Sequence, residues 1–270
     1  MAEKVLFIAE EIHPYVPEST KSTIGRNLPQ SVQAAGKEIR IFMPKWGNIN
    51  ERRNQLHEVI RLSGINLIID DTDHPLIIKV ASLQASRIQV YFIDNEDFFY
   101  NRPGFKDAGG VPYEDNDERM IFFNRGVLET VNKLRWCPDV VHCHGAFTAL
   151  VPLLIRKSFS QTPSFMQSKV VTSLYGSNFQ QPDHERFLEK VLTKGITKED
   201  IDGLEGNFSI EDLLKFSIKH SDGIIEQTEG VNPELLEYAR SLGKPVMTLE
   251  EHATEQAQTY TDFYDKVCQE

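Results

Sequence analysis

Cysteine is scarce: the 270 residues contain three, Cys137, Cys143 and Cys268, with no paired spacing. That excludes a disulfide-stapled secreted fold and a zinc ribbon, and it suits reduced thiols in a cytoplasmic protein. Positive charge is also short, with 29 Lys and Arg against 40 Asp and Glu and a formal net charge of −11. A field of that sign argues against nucleic acid as a general partner, and an anionic ligand would need a local positive patch. No apolar run approaches a membrane span, and the opening "MAEKVLFIAEEIHPYV" starts a strand with no signal-peptide cleavage region. Gly-x-Gly-x-x-Gly, Walker, Gly-x-Ser-x-Gly and zinc-type spacings are missing, as are internal repeats and low-complexity tracts. No cofactor and no metal are implied.

What is present is ordinary globular material, 40% apolar and 26% charged, long enough for one large domain or two small ones. Strand-like runs recur along it: "KVLFIA" (4–9), "EIRIFMP" (38–44), "RIQVYFID" (87–94), "DVVHCH" (139–144), "KVVTSL" (169–174) and "DGIIEQ" (222–227). Several are near-continuously apolar, as strands covered on both faces tend to be. Helical periods lie between them, including "STIGRNLPQSVQAAG", closed by Gly36, and "TALVPLLIRKSF". The alternation predicts an α/β fold: a single Rossmann-like, doubly wound, mostly parallel sheet.

Two segments break the alternation. "LHEVIRL", "INLIID", "LIIKVAS" and "RIQVYFID" read as consecutive strands, the first three separated by Gly64 and a "DDTDHP" turn, which predicts an antiparallel hairpin extension. "DNDERMIFFNRGVLETVNKL" (115–134) reads as a long helix, with a capping box from Asp115 to Glu118 and a stripe of Met120, Phe123, Val127, Leu128, Val131 and Leu134. "GVNPELLEYARSLG" reads as a helix and "KPVMTL" as a short strand. The end of the chain is a polar amphipathic helix whose Tyr260, Phe263, Tyr264 and Val267 suit packing back across the domain. The expected division is a domain over residues 1–245 and a returning helix within 246–270.

Several polar groups are placed for chemistry. His142 and His144, two apart, share one face at the C-terminal end of a strand, the edge where open α/β sheets bind ligands. The spacing leaves open hydrogen-bonded structural histidines, contact with a substrate hydroxyl, or a metal site that lacks an obvious third ligand. "YEDNDER" (113–119) reads as a helix cap whose N–H groups could also meet a ligand. "SLYGSN" (173–178) suits sugar recognition and an ordinary strand-to-helix loop alike. The pairs Glu10–Glu11 and Asp70–Asp71 read as solvated or capping charges, since adjacent strand residues point to opposite faces.

Taken together these segments resemble the N-terminal half of bacterial glycogen and starch synthases. The likeness rests on "KVLFIAEEIHPYV", "NRPGF…PYEDNDERMIFFNRGVLE", "PDVVHCHGAFTALVP" and "LLKFSIKHSDGIIEQTEGVNPELLEYA", in family order over about residues 3–240. The resemblance implies one half of a two-Rossmann GT-B architecture and an enzyme family that transfers glucose from ADP-glucose to an α-1,4-glucan.

The departures concern the chemistry. Where the family has Lys-x-Gly-Gly-Leu after the first strand, this chain reads Pro17, Glu18, Ser19, Thr20 and Lys21. The family's Asp-Trp-His becomes Gly145, Ala146 and Phe147, and its Thr-Ile-His-Asn becomes Thr172, Ser173, Leu174 and Tyr175. Pro17, Thr20, Gly145 and Leu174 are therefore degenerate family positions, and the family's second Rossmann domain is expected to be absent. Each lost electrostatic donor raises a transfer barrier by roughly 3–4 kcal/mol, so little or no activity is expected of the chain alone, and no catalytic residue is assigned. Candidate sugar- or glucan-binding residues are Tyr15, Lys21, Tyr113, Asn116, His144, Tyr175 and Asn178. Expected partners are an α-glucan, a chain carrying the donor domain, or a second copy of this chain. Two other readings remain open: a non-catalytic assembly or regulatory protein, and a sugar-phosphate enzyme with altered chemistry using His144, Tyr175 or Lys21.

Overall fold

The run Lys4–Ala9 forms the first strand, β1, and is buried from Val5 onward because both faces of the sheet are covered. The computed structural model describes residues 1–84, 86–177, 186–202, 204, 208–252 and 257–269. Around β1 stand β2 (Glu38–Pro44), β3 (His57–Glu58), β4 (Ile65–Ile69), β5 (Thr72–Ser82) and β6 (Gln89–Asp94). They are followed by β7 (Val140–His144), β8 (Lys169–Leu174), β9 (Gly223–Glu226) and β10 (Val246–Met247). The order across the sheet is β10-β9-β8-β7-β1-β2-β6-β5-β3, with β4 paired to β5. Every pairing from β10 to β6 is parallel, and β5 pairs antiparallel with β6, β3 and β4. The chain fills one side of β1 through β6 and then crosses to the other side at β7. The crevice between the C-terminal ends of β1 and β7 is therefore the topological switch point, where such sheets bind ligands.

The helices are α1 (Thr20–Ala34), α2 (Glu51–Asn54), α3 (Glu96–Phe99), α4 (Asn116–Leu134) and α5 (Val151–Arg156). They continue with α6 (Phe187–Val191), α7 (Ile210–His220), α8 (Pro233–Ser241), α9 (Leu249–His252) and α10 (Ala257–Gln269). Among the described residues, no helix is long and apolar enough to cross a membrane.

The hairpin extension forms with shifted bounds. The turn is confined to Asp70, at φ +52°, and Asp71; β5 resumes at Thr72 and runs through Pro75. Pro75 is tolerated because β5 pairs there only with β4, and β6 joins from Ile77 onward, so the missing N–H interrupts one ladder at most. "LHEVIRL" contributes only His57–Glu58, since the Val59 carbonyl accepts the N–H groups of Leu62 and Ser63 and turns the chain. The capping box expected at α4 does not form: the Asp115 carboxylate makes no cap and pairs with Arg102 instead. The stripe of α4 is also wider than its period implies, with Ile121, Phe122 and Asn124 buried as well, because elements pack on it from several sides.

Helix α10 lies on α1 and β8. Gly223 on β9 lets it approach closely, since a Cβ there would stand 2.7 Å from Val267 Cγ2. Tyr260, Phe263, Tyr264 and Val267 are all buried, and the Ala2 N–H donates to Asp265 at 2.6 Å.

Candidate functional site

Beyond β1 the chain cannot run straight into α1, because Ser19 is the helix cap: its Oγ accepts the Ser22 N–H at 3.0 Å and Ser22 Oγ accepts the Ser19 N–H at 2.8 Å. A cap oxygen thus already occupies the helix N-terminus at Ser22, where a phosphate oxygen would otherwise sit. The first turn then directs Lys21 inward. Its Nζ meets Glu10 Oε2 at 2.5 Å and lies 5.1 Å from the centroid of the Tyr175 ring.

Glu10 corrects the sequence reading, which treated it as a solvated or capping charge. It is completely buried, and its second oxygen accepts the Phe147 N–H at 2.6 Å. Gly145 makes the room. At φ +88° and ψ 165° it lies where a side chain is scarcely tolerated, and a Cβ would stand 2.4 Å from the Glu10 carboxylate. The position that lacks the family's aspartate is therefore occupied by a carboxylate reaching over from the neighbouring strand. One signal for this was available: Glu10 directly continues the apolar run Val5–Ala9, and a glycine stands at position 145 where the family has a side chain.

The histidines at the end of β7 are hydrogen-bonded core residues, their rings 4.0 Å apart. The bonds around His142 have one consistent direction. The Glu226 carbonyl can only accept, so His252 Nε2–H donates to it at 2.7 Å, and His252 Nδ1 pairs with the Tyr260 hydroxyl at 3.1 Å. Gln227 Nε2 donates to Tyr260, and Ser173 Oγ donates to Gln227 Oε1. His142 Nε2–H then donates to Ser173 at 2.7 Å, and His142 Nδ1 accepts from the Tyr264 hydroxyl at 2.8 Å. His142 is neutral in this chain of bonds, which ties α9 and α10 to the strand ends. His144 bonds Tyr175 Oη through Nδ1 at 2.8 Å, while its buried Nε2 has no hydrogen-bond partner among the described residues. Among the described residues, no group of three or more His, Cys, Asp and Glu could hold a metal ion.

Burial pushes the His144 pKa down to about 3, with help from the Lys21 ammonium, and holds His142 well below its ordinary value, with help from His144 and His252. The unfolded chain binds protons at these rings below about pH 6.5, whereas the fold refuses them. Protons therefore favour unfolding, and stability is lost as pH falls from the unfolded value toward the folded one. The unfolding free energy from urea titrations should hold steady above about pH 7.5 and drop between pH 7 and 5, by up to about 1.4 kcal/mol per pH unit for each ring, with the midpoint following it. A flat midpoint across that interval would contradict neutral burial.

The resulting cleft, of about 1040 Å³, lies between the first turn of α1 and the ends of β8 and β9. Its lining includes Thr20, Lys21, Tyr175, Ser177, Thr228 and His252, and Gly176 N–H is fixed by Thr228 Oγ1 at 2.9 Å. Of the candidate residues, Lys21 and Tyr175 line this cleft and His144 supports Tyr175 from behind. Tyr113 and Asn116 do not reach it. The Tyr113 ring lies against the guanidinium groups of Arg102 and Arg119, and buried Asn116 joins the Phe105 carbonyl to Arg119. Tyr15 and Pro17 line a different cavity. Leu174 is buried at the end of β8, and Asn178 lies outside the described residues. Gln227, Thr228 and His252 were not picked out from sequence, since each comes from a separate segment with no motif around it.

The family model for the starch synthase catalytic domain matches residues 4–244. The chain is 36% identical over 220 residues to the glycogen synthase of Chlorobium phaeobacteroides, covering 81% of this chain and 44% of that protein. It is 35% identical over 235 residues to the glycogen synthase of Chlorobaculum tepidum, covering 87% and 47%. The fold matches the catalytic domain of starch synthase IV from Arabidopsis thaliana, solved with ADP and acarbose, at a TM-score of 0.72 and 17% identity over 92% of this chain and 51% of that one. The chain spans about half the length of the relatives it matches. With the switch-point crevice of a parallel sheet and a match over nearly all its residues, the chain belongs to the starch synthase catalytic domain family.

Proposed function

We propose that this chain works in cytoplasmic α-1,4-glucan metabolism as the acceptor-side half of a glycogen synthase-type glucosyltransferase. It holds a neutral glucan segment in the cleft beside Tyr175 and has little or no transfer activity alone. The observation that carries the reading is the buried Glu10–Lys21 pair, which turns the cation beside the cleft inward. With Lys21 neutralised, the lining offers hydroxyls, amides and two carboxylates, Glu18 and Glu229, to a ligand. Such a surface suits a polyol, while a diphosphate would meet carboxylates with no free cation from Lys21. The partners proposed with this reading are an α-glucan and either a chain carrying the donor-side domain or a second copy of this one.

Calorimetry with maltoheptaose, together with an assay of glucose incorporation from ADP-glucose into glycogen, tests both parts. Saturable maltoheptaose binding without incorporation is expected. Robust turnover by the purified chain would overturn the non-catalytic part, and failure to bind maltoheptaose would overturn the glucan part.

A further inference from the structure

A second cavity, of about 520 Å³, lies on the other side of the loop that follows β1 and shares no lining residue with the cleft. It is enclosed by that loop, α1, α2 and the turn after β5, and its polar wall is formed by His13, Tyr15, Arg26, Asn50, Arg53 and Asn54. Among the described residues no Asp or Glu lines it, although the chain has 40 of them and a net charge of −11. The nearest carboxylate of α2, that of Glu51, is held by Lys45 and Lys79.

Among the described residues neither Arg26 nor Arg53 forms an ion pair, and Arg26 Nε and His13 Nδ1 are buried without a hydrogen-bond partner. Polar atoms taken out of water and left unsatisfied are costly to keep, unless a ligand satisfies them. Two guanidinium groups lining one cavity match the acceptor oxygens of a phosphate group, while the Asn50 and Asn54 amides cap and brace α2. An adjoining cavity, which shares Asn54, Ser82, Leu83 and Gln84, adds Arg87 and His57 and, among the described residues, no acidic one. The volume exceeds what a phosphate ion fills, and Tyr15, Val16 and Leu83 supply apolar wall for the remainder of a small molecule.

We propose that this basic cavity is a binding site for a small phosphate monoester, separate from the glucan cleft and independent of what that cleft binds. The ligand enters with its phosphate between Arg26 and Arg53 and its body against Tyr15.

Isothermal titration of the full chain at low ionic strength with inorganic phosphate, glucose 1-phosphate and free glucose tests this. Saturable binding of glucose 1-phosphate, weakened by added salt, and no binding of glucose are expected. Arg53 is exposed, so R53Q should fold normally and bind about tenfold or more weakly, and R26Q/R53Q should not bind measurably. Absence of saturable binding by both phosphate-bearing probes would overturn the site. So would undiminished binding by R53Q and the double variant, which would place the ligand elsewhere.

Discussion

Lys21→Met should destabilise the fold by about 3–5 kcal/mol, although it keeps most of the side chain's volume. The reason lies in Glu10. Its carboxylate is fully buried and has two counterparts, the Lys21 ammonium at 2.5 Å and the Phe147 N–H at 2.6 Å. Removing the cation leaves a charge in a place water does not reach, and the desolvation already incurred is no longer offset. Glu10→Gln should cost less, because its amide oxygen still accepts the Phe147 N–H and the slightly exposed lysine can turn to solvent. In E10Q/K21M no uncompensated charge remains, so most of the K21M loss should be recovered. Urea denaturation of the four proteins measures the coupling, expected to be at least about 2 kcal/mol. A K21M variant within about 0.5 kcal/mol of the parent would show that the pair is not buried as described.

Gly145→Ala should be comparably damaging, at about 3–5 kcal/mol, for two separable reasons. One is backbone strain: φ +88° with ψ 165° is a region essentially reserved for glycine, and a side chain there costs about 1–3 kcal/mol. The other is the Glu10 carboxylate, 2.4 Å from the new methyl, which must be displaced at a further cost of about 1–3 kcal/mol. In an E10A background the collision disappears and the strain stays, so the penalty for G145A should fall by roughly half. Equal penalties in both backgrounds, read from unfolding midpoints, would mean that the carboxylate does not crowd this glycine.

These two residues also show how the chain differs from its family's pattern. The motif carries an aspartate where Gly145 stands. Here the carboxylate comes from Glu10, one strand away, and is joined to Lys21 from the following helix. Each departure looks like a loss when read alone. In space they are one arrangement, and changing any member alone leaves the others strained or unpaired.

Much of the fold was legible along the chain. Strands β1, β2, β7 and β8 are near-continuous apolar runs, because a sheet covered on both faces asks for them, and α4 carries an apolar period over five turns. Boundaries were less legible where a tertiary partner decided them. Asp115 reads as a cap until Arg102 takes its carboxylate, and Thr72–Pro75 reads as a turn until β4 supplies a ladder. The candidate site divided in the same way. Lys21, Tyr175 and His144 were indicated by their places at strand and helix ends, but Tyr113 and Asn116, equally polar and near a helix start, serve the packing of Arg119.

By itself, then, the sequence determined the class of fold, the family, and the edge of the sheet at which the cleft opens. Those properties depend on periodicity and local chain order, which a linear reading preserves. Only the tertiary structure decided that Glu10 is buried and neutralises Lys21, that Tyr15 faces a second cavity with Arg26 and Arg53, and that Gln227, His252, Tyr260 and Tyr264 form one directed hydrogen-bond chain. Each of these depends on the distance between residues from separate segments, and whether a charge or a ring is solvated, paired or idle is settled by that distance.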